Sequence, residues 1–194
     1  IYTLSLHDAL PILAYIWAYS NCDEVELTVN GKRLERQKMP RHGHLKWKAV
    51  YQPGKVVATG YKNGKRILTQ TLETTRPASK IILKADRQQI SADGRDLAVV
   101  TIEIQDVKGH IVPDACPELT FRLEGDGRIL GVGNGDPSYP GEDHPRDKDC
   151  KTFSIPAFNG LAQVLIQSQL QPSTLTLSAT ANQLKSANII IHTK

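Results

Sequence analysis

From Ala14 to the end of the chain, apolar and polar residues alternate with a period of two and almost nowhere with the 3.6-residue period of a helix. Val25, Leu27 and Val29 fall on one side of such a run, with Glu24, Glu26 and Thr28 on the other. A segment written this way hides its apolar side only as an extended strand with one face against a second layer. Leu45, Trp47, Ala49 and Tyr51 repeat the pattern against His44, Lys46 and Lys48, and Ala98, Val100, Ile102 and Ile104 repeat it against Thr101, Glu103 and Gln105. Leu119, Phe121 and Leu123 follow, then Ala162, Val164 and Ile166, then Leu175, Leu177, Ala179 and Ala181, and last Ala187, Ile189 and Ile191.

The punctuation between the runs agrees with strands. Asn30-Gly31 and Asn63-Gly64 supply the positive φ angles of tight hairpin turns, while Pro53-Gly54, Asp106 to Gly109 and Gly125 to Gly127 turn the chain elsewhere. "TTRPASK", Thr74 to Lys80, reads as a linker, because Pro77 has no amide to give a ladder and its neighbours are small and polar. The expected fold is therefore all-β, two tandem immunoglobulin-like antiparallel β-sandwiches. Residues 14–76 are the small β-sandwich, its N-terminal boundary undefined, and residues 77–194 the larger one. Residues 1–13 are expected to be a non-native leader. "IYTLSLHDALPIL" lacks a basic start, His7-Asp8 interrupts its apolar stretch, and it resembles a translated sequencing adapter.

Charge narrows the choice of partners. Residues 1–77 carry 12 Lys+Arg against 6 Asp+Glu (+6) and residues 78–194 carry 12 against 14 (−2), for a net +4. That balance excludes the strongly basic surface of a nucleic-acid binder. No apolar run approaches the ~20 residues of a membrane span. Three cysteines, Cys22, Cys116 and Cys150, without C-x-x-C spacing, form neither a zinc site nor a disulfide framework.

The stretch "LGVGNGDPSYPGEDHP", Leu130 to Pro145, concentrates glycine, proline and acid groups. Its glycines lack the Lys-Ser/Thr of a phosphate loop and open no helix in a βαβ unit. Asp126, Asp136, Glu142 and Asp143 are oxygen donors of the type that holds calcium, but at no recognisable calcium-loop spacing, so neither metal nor cofactor is expected. Gly133, Asn134, Gly135 and Asp136 are read as a turn or docking loop, Asp136 bonding nearby amides. The insert Ser138 to Lys151, seven of whose fourteen residues are charged, is expected to be poorly ordered. There is no G-x-S-x-G elbow, and His7, His42, His44, His110, His144 and His192 are scattered over turns and strand ends. Trp17 and Trp47 are the candidates for stacking on a sugar, although Trp47 shares a face with Leu45 and Ala49, which favours core packing. No catalytic residue is assigned.

Four strings are more specific than periodicity. "WAYSNCDEVELTVNGKRLERQKM", "HLKWKAVYQPGKVVATGYKNGK", "GRILGVGNGDP" and "FNGLAQVLIQS" occur in this order and resemble the C-terminal region of glycoside hydrolase family 2 β-galactosidases. The resemblance implies a small β-sandwich followed by an immunoglobulin-like domain, and upstream of them a catalytic (β/α)8 barrel with two glutamates in a retaining mechanism. It also implies a periplasmic or otherwise extracytoplasmic bacterial setting. The acid/base glutamate of that family follows an asparagine, and no Asn-Glu pair occurs in these 194 residues. The expected role is thus a non-catalytic accessory fragment whose partner is the barrel of its own parent chain, with a glycan as a further partner. The rival readings are a free-standing immunoglobulin-like surface module and a carbohydrate-binding module.

Overall fold

The structure, a computed structural model, describes residues 12–194. The expected leader therefore lies outside the described residues, except for its last two positions. Of these, Leu13 opens the first strand and pairs with Val50. The described residues form sixteen strands and no helix, and the chain divides into two compact units, one up to Thr74 and one from Thr75 to Lys194.

The first unit contains β1 (Leu13–Ala18), β2 (Glu24–Val29), β3 (Lys32–Arg33), β4 (Gln37–Lys38), β5 (Leu45–Val50), β6 (Lys55–Lys62) and β7 (Lys65–Glu73). β1 and β5 pair as a two-stranded sheet, and β3, β2, β6 and β7 lie side by side in a second, with β4 also on β2. Both Asn-Gly pairs take left-handed angles, Asn30 at φ 47° and Gly31 at 82°, Asn63 at 49° and Gly64 at 73°, as the β2–β3 and β6–β7 hairpins require. Asn30 also spans two turns, its side chain accepting from the Lys55 amide at 2.7 Å and donating to the Pro53 carbonyl at 3.2 Å. Between the sheets lie Val25, Leu27, Leu45 and Trp47, flanked by Ile16, Ala18, Leu34, Met39, Val56 and Ala58.

The second unit contains β8 (Lys80–Ala85), β9 (Gln89–Ile90), β10 (Leu97–Gln105), β11 (Glu118–Glu124), β12 (Gly127–Gly133), β13 (Thr152–Pro156), β14 (Leu161–Ser168), β15 (Thr174–Thr180) and β16 (Ala187–Thr193). One sheet has the order β12-β14-β10-β8 and the other β13-β11-β15-β16-β9. The pairs are antiparallel except β16 with β9, which is parallel. The alternation singled out β10, β11, β14, β15 and β16, and missed β8, β9, β12 and β13. β9 is two residues long, β12 is rich in glycine, and β8 and β13 are edge strands whose outer neighbours are absent, so none of them carries a sustained two-residue rhythm. Phe121, Leu119, Ile102, Ile104, Ile129 and Ile166 are among the fully buried side chains between the layers, each contributing about 1.5–3 kcal/mol by leaving water.

Two local devices hold this sandwich closed. Asn159-Gly160 turns at φ 52° and 76°, and a Cβ on Gly160 would sit 2.4 Å from the Val112 carbonyl oxygen, so only glycine fits there. Asp106, at the end of β10, is fully buried. Its carboxylate accepts the backbone amides of Arg76 at 2.9 Å, Lys108 at 2.8 Å and His110 at 2.9 Å. These amide bonds, Arg76 foremost, outweigh burial and hold the Asp106 carboxyl at about 2, below its ordinary 3.8.

The linker expected over Thr74 to Lys80 is shorter than its composition implies. The Thr74 amide donates to Gly54 within the first unit, whereas Arg76 is held by Asp106, Ser79 by the Gln105 carbonyl, and Lys80 already opens β8. Polar composition marked the segment as loop, but the tethers that draw it in come from residues twenty to thirty positions away.

Two outcomes are expected. Trp47→Ala should cost about 3–5 kcal/mol and abolish the unfolding transition of the first unit in a urea titration, while Trp17→Ala, at an exposed position, should leave both transitions in place. Asp106→Asn should lower the stability of the second unit at neutral pH. Because the folded-state value lies below 3.8, the stabilisation by Asp106 is fully present above pH 4 and is lost as the pH falls toward 2. Unfolding midpoints of the two proteins should therefore converge over that window; a difference constant down to pH 2 would show that the carboxylate charge is not what the amides hold.

Candidate functional site

The Gly-rich loop begins later than the sequence implied. Gly131 and Gly133 belong to β12, which pairs with β14 through a bulge between Ile129 and Gly131 and buries Val132. Beyond it, Asn134 donates through Nδ2 to the Pro156 carbonyl at 3.0 Å and accepts the Asp136 amide at 3.0 Å. Asp136 Oδ1 accepts the Ser138 hydroxyl at 2.7 Å and its amide at 2.8 Å, and these bonds lower the Asp136 pKa. Gly135 has φ 78°, an angle that favours glycine. Gly133, Asn134, Gly135, Asp136, Tyr139 and Asp143 surround a hollow of about 160 Å³, in which the Asn134 amide and the Asp136 and Asp143 carboxylates already have protein partners.

The insert after it is tied down rather than loose. Val132 donates to the Asp143 carbonyl at 2.7 Å and Ile129 to the Cys150 carbonyl at 2.9 Å. Arg128 donates to the Lys148 carbonyl at 3.0 Å. Cys150 is buried, and Tyr139 packs against the core. These two apolar anchors and the backbone bonds compensate for the polarity from which disorder was expected.

The carboxylates considered for calcium go separate ways. Asp126 sits at the β11–β12 turn, its amide bonded to Ser173. Glu142 pairs with Arg146, and Asp143 with His144, which lowers its pKa. Among the described residues no three His, Cys, Asp or Glu side chains are gathered for a metal ion. Cys22 and Cys150 are buried, Cys116 is exposed, and all three are unbridged.

The two tryptophans lie on opposite faces of the paired strands β1 and β5. Trp47 is 4% exposed, and its indole N–H donates to the Glu35 carbonyl at 2.9 Å. Burial removes it as a sugar-stacking candidate, because neither ring face is open to a ligand. Trp17 is 53% exposed and has company that the sequence reading did not single out. Alternation along β1 sends Ile16 and Ala18 inward and Leu13, Tyr15 and Trp17 outward, and Tyr19 is exposed just beyond. On β5, Lys48 lies opposite Tyr15 and Lys46 opposite Trp17. Lys46 Nζ sits 3.9 Å from the centroid of Tyr15 and 5.9 Å from that of Trp17. His44 stacks on Trp17 at 4.7 Å with an interplanar angle of 22°, and lies 5.3 Å from Tyr19. The outcome is an exposed row in which aromatic rings and basic groups alternate. The signal was present as Tyr15-x-Trp17-x-Tyr19, whose period of two runs in the phase opposite to the core residues Ile16 and Ala18. Beneath β1, an apolar cleft of about 220 Å³ opens between Ile16, Ala18, Leu68 and Leu72.

No helix among the described residues is long and apolar enough to cross a membrane.

Comparison with known proteins places this architecture. Residues 81–190 match the glycoside hydrolase family 2 C-terminal domain 5, and residues 13–68 match a domain family of unknown function. A β-galactosidase of Bacteroides ovatus is 37% identical over 174 residues, which is 89% of this chain and 20% of that protein. A β-glucuronidase of Formosa agariphila is 28% identical over 180 residues, 91% of this chain and 17% of its own length. The crystal structure of a glycosyl hydrolase family 2 member from Bacteroides cellulosilyticus superposes with a TM-score of 0.88 at 31% identity, covering 98% of this chain and 24% of that one. The chain thus spans about a fifth of the length of these relatives. With the C-terminal domain 5 match covering more than half of its residues, the chain belongs to glycoside hydrolase family 2, as a piece of its C-terminal region.

Proposed function

We propose that the chain is the non-catalytic accessory end of a β-galactosidase-type enzyme, bracing or positioning a catalytic (β/α)8 barrel supplied by the rest of its parent polypeptide. The observation that carries this reading is the family membership combined with extent. The match is to a C-terminal domain, and about four-fifths of the β-galactosidase relative's length lies outside it. The β-galactoside is chosen over a β-glucuronide because the Bacteroides ovatus β-galactosidase is 37% identical, against 32% for a putative β-glucuronidase and 28% for a β-glucuronidase of Formosa agariphila. The same reading puts the parent in the periplasm or outside the bacterial cell.

The chemistry of the chain supports a supporting role. A retaining glycosidase needs one carboxyl protonated near neutrality, its pKa raised, and a second carboxylate as nucleophile about 5–5.5 Å from it. Here Asp86, Asp93, Glu103, Asp106, Asp136 and Asp143 are all shifted downward. At Glu103 burial works the other way, but hydrogen bonds from Lys84 and Gln105, both 2.6 Å, outweigh it. Such groups are fixed anions that organise backbone and ion pairs, unsuited to protonating a leaving oxygen.

The purified chain is accordingly expected to release no chromophore from nitrophenyl β-galactoside or β-glucuronide, while the intact parent turns over the galactoside. Turnover by the chain alone that disappears when one of its own carboxylates is changed would overturn the accessory reading. Preference of the parent for the glucuronide would overturn only the choice of substrate.

A further inference from the structure

The row on the outer face of β1 and β5 stands largely in solvent. Outward positions of a two-stranded sheet are ordinarily polar, yet Leu13, Tyr15, Trp17 and Tyr19 are all half or more exposed and together make a contiguous apolar patch of the kind that marks an interaction site. The rings are interleaved with Lys46, Lys48 and His44, and neither lysine has a carboxylate partner among the described residues. The surrounding unit is basic as a whole. Residues 12–74 hold 11 Lys+Arg against 5 Asp+Glu, a net +6.

From this geometry we infer that the row is a binding site for an acidic polysaccharide. A uronic-acid ring has two kinds of surface. Its C–H face carries slight positive charge and packs on the negative face or edge of an aromatic ring. Its carboxylate projects from the ring plane and requires a cation within a few ångströms. Tyr15, Trp17 and Tyr19 supply the first kind of contact and Lys46, Lys48 and His44 the second, set side by side on the paired strands β1 and β5 and just beyond their ends. Outward side chains two residues apart are about 6.6–6.8 Å apart, so the row offers repeated contacts to a linear polymer rather than a pocket for one sugar. A neutral glycan uses only the rings and offers nothing to Lys46, Lys48 and His44 beside them, so an uncharged chain gains less here. The inference goes beyond the accessory role and rests on the family reading only in choosing a glycan over other polyanions. Its test uses this chain without hydrolysis, so it can fail while the accessory role stands.

The experiment is affinity electrophoresis of the purified chain through gels containing polygalacturonate, alginate or neutral galactan, with tryptophan fluorescence titrations in parallel. Trp47 is buried, so any quenching reports Trp17. In Trp17→Ala, Trp47 remains as the internal check that the unit is folded. Retardation by at least one acidic polymer but not by galactan is expected. Binding should weaken as salt is raised, and by about tenfold or more in Trp17→Ala and in the Lys46→Gln/Lys48→Gln double variant. Three results would overturn the proposal: no retardation by either acidic polymer, equal retardation by galactan, or equally tight binding of a single-stranded oligonucleotide. A fourth would be shielding of Trp17 from iodide in the ligand-free intact parent, which would make the row an intramolecular interface.

Discussion

Strand β10 is the member on which the second unit depends. It is paired on both sides, with β14 along Leu97 to Glu103 and with β8 along Val100 to Gln105, and its inward residues Ala98, Val100, Ile102 and Ile104 are fully buried. A strand covered on both edges and one face has no backbone group left for water, so its ladder bonds and its burial are lost or kept together. At its end the chain turns around the buried Asp106, and amides that face it would be costly to leave unpaired. Asp106 resolves this by accepting three of them at once. One belongs to Arg76, so the carboxylate also fixes where the second unit begins.

The first unit is built with less. A two-stranded sheet faces a five-stranded one, and its core is the small cluster around Val25, Leu27, Leu45 and Trp47. At about sixty residues a sandwich is close to the lower limit of self-sufficiency, which is why one indole carries so much of it. The narrow sheet also has a consequence at the surface. With β1 and β5 alone forming that layer, apolar residues on its outer side have nothing of the unit to pack against, and the aromatic row stays in solvent.

These constraints bear on function through division of labour. Asp106, Glu103 and Asp136 are held as anions by amides, a lysine and a hydroxyl, so these acid groups serve the structure. Chemistry on a glycosidic bond belongs, on our reading, to another part of the parent polypeptide, and recognition is what an open, rigid strand pair can add. Side chains on paired strands keep their spacing without the ordering entropy a loop would lose, and this suits a site built by repetition along one line.

What the sequence determined by itself was the class of the fold and much of its wiring. Period-two alternation is a property of each strand alone, and Asn30-Gly31 and Asn63-Gly64 encode their turns locally through φ. Trp47 was legible as core because Leu45 and Ala49 share its phase. The tertiary structure alone decided what depends on partners distant in the chain. The extent of β12 into Gly133, the short edge strands, the parallel pairing of β9 with β16 and the tethering of Ser138 to Lys151 all rest on such pairings. So does the capture of Arg76 by Asp106, thirty residues away. The aromatic row shows the division most plainly. Tyr15, Trp17 and Tyr19 were visible in sequence as a rhythm, but which phase faces water and which basic groups stand between the rings follow from the register of β1 on β5, set by long-range hydrogen bonds that no local pattern specifies.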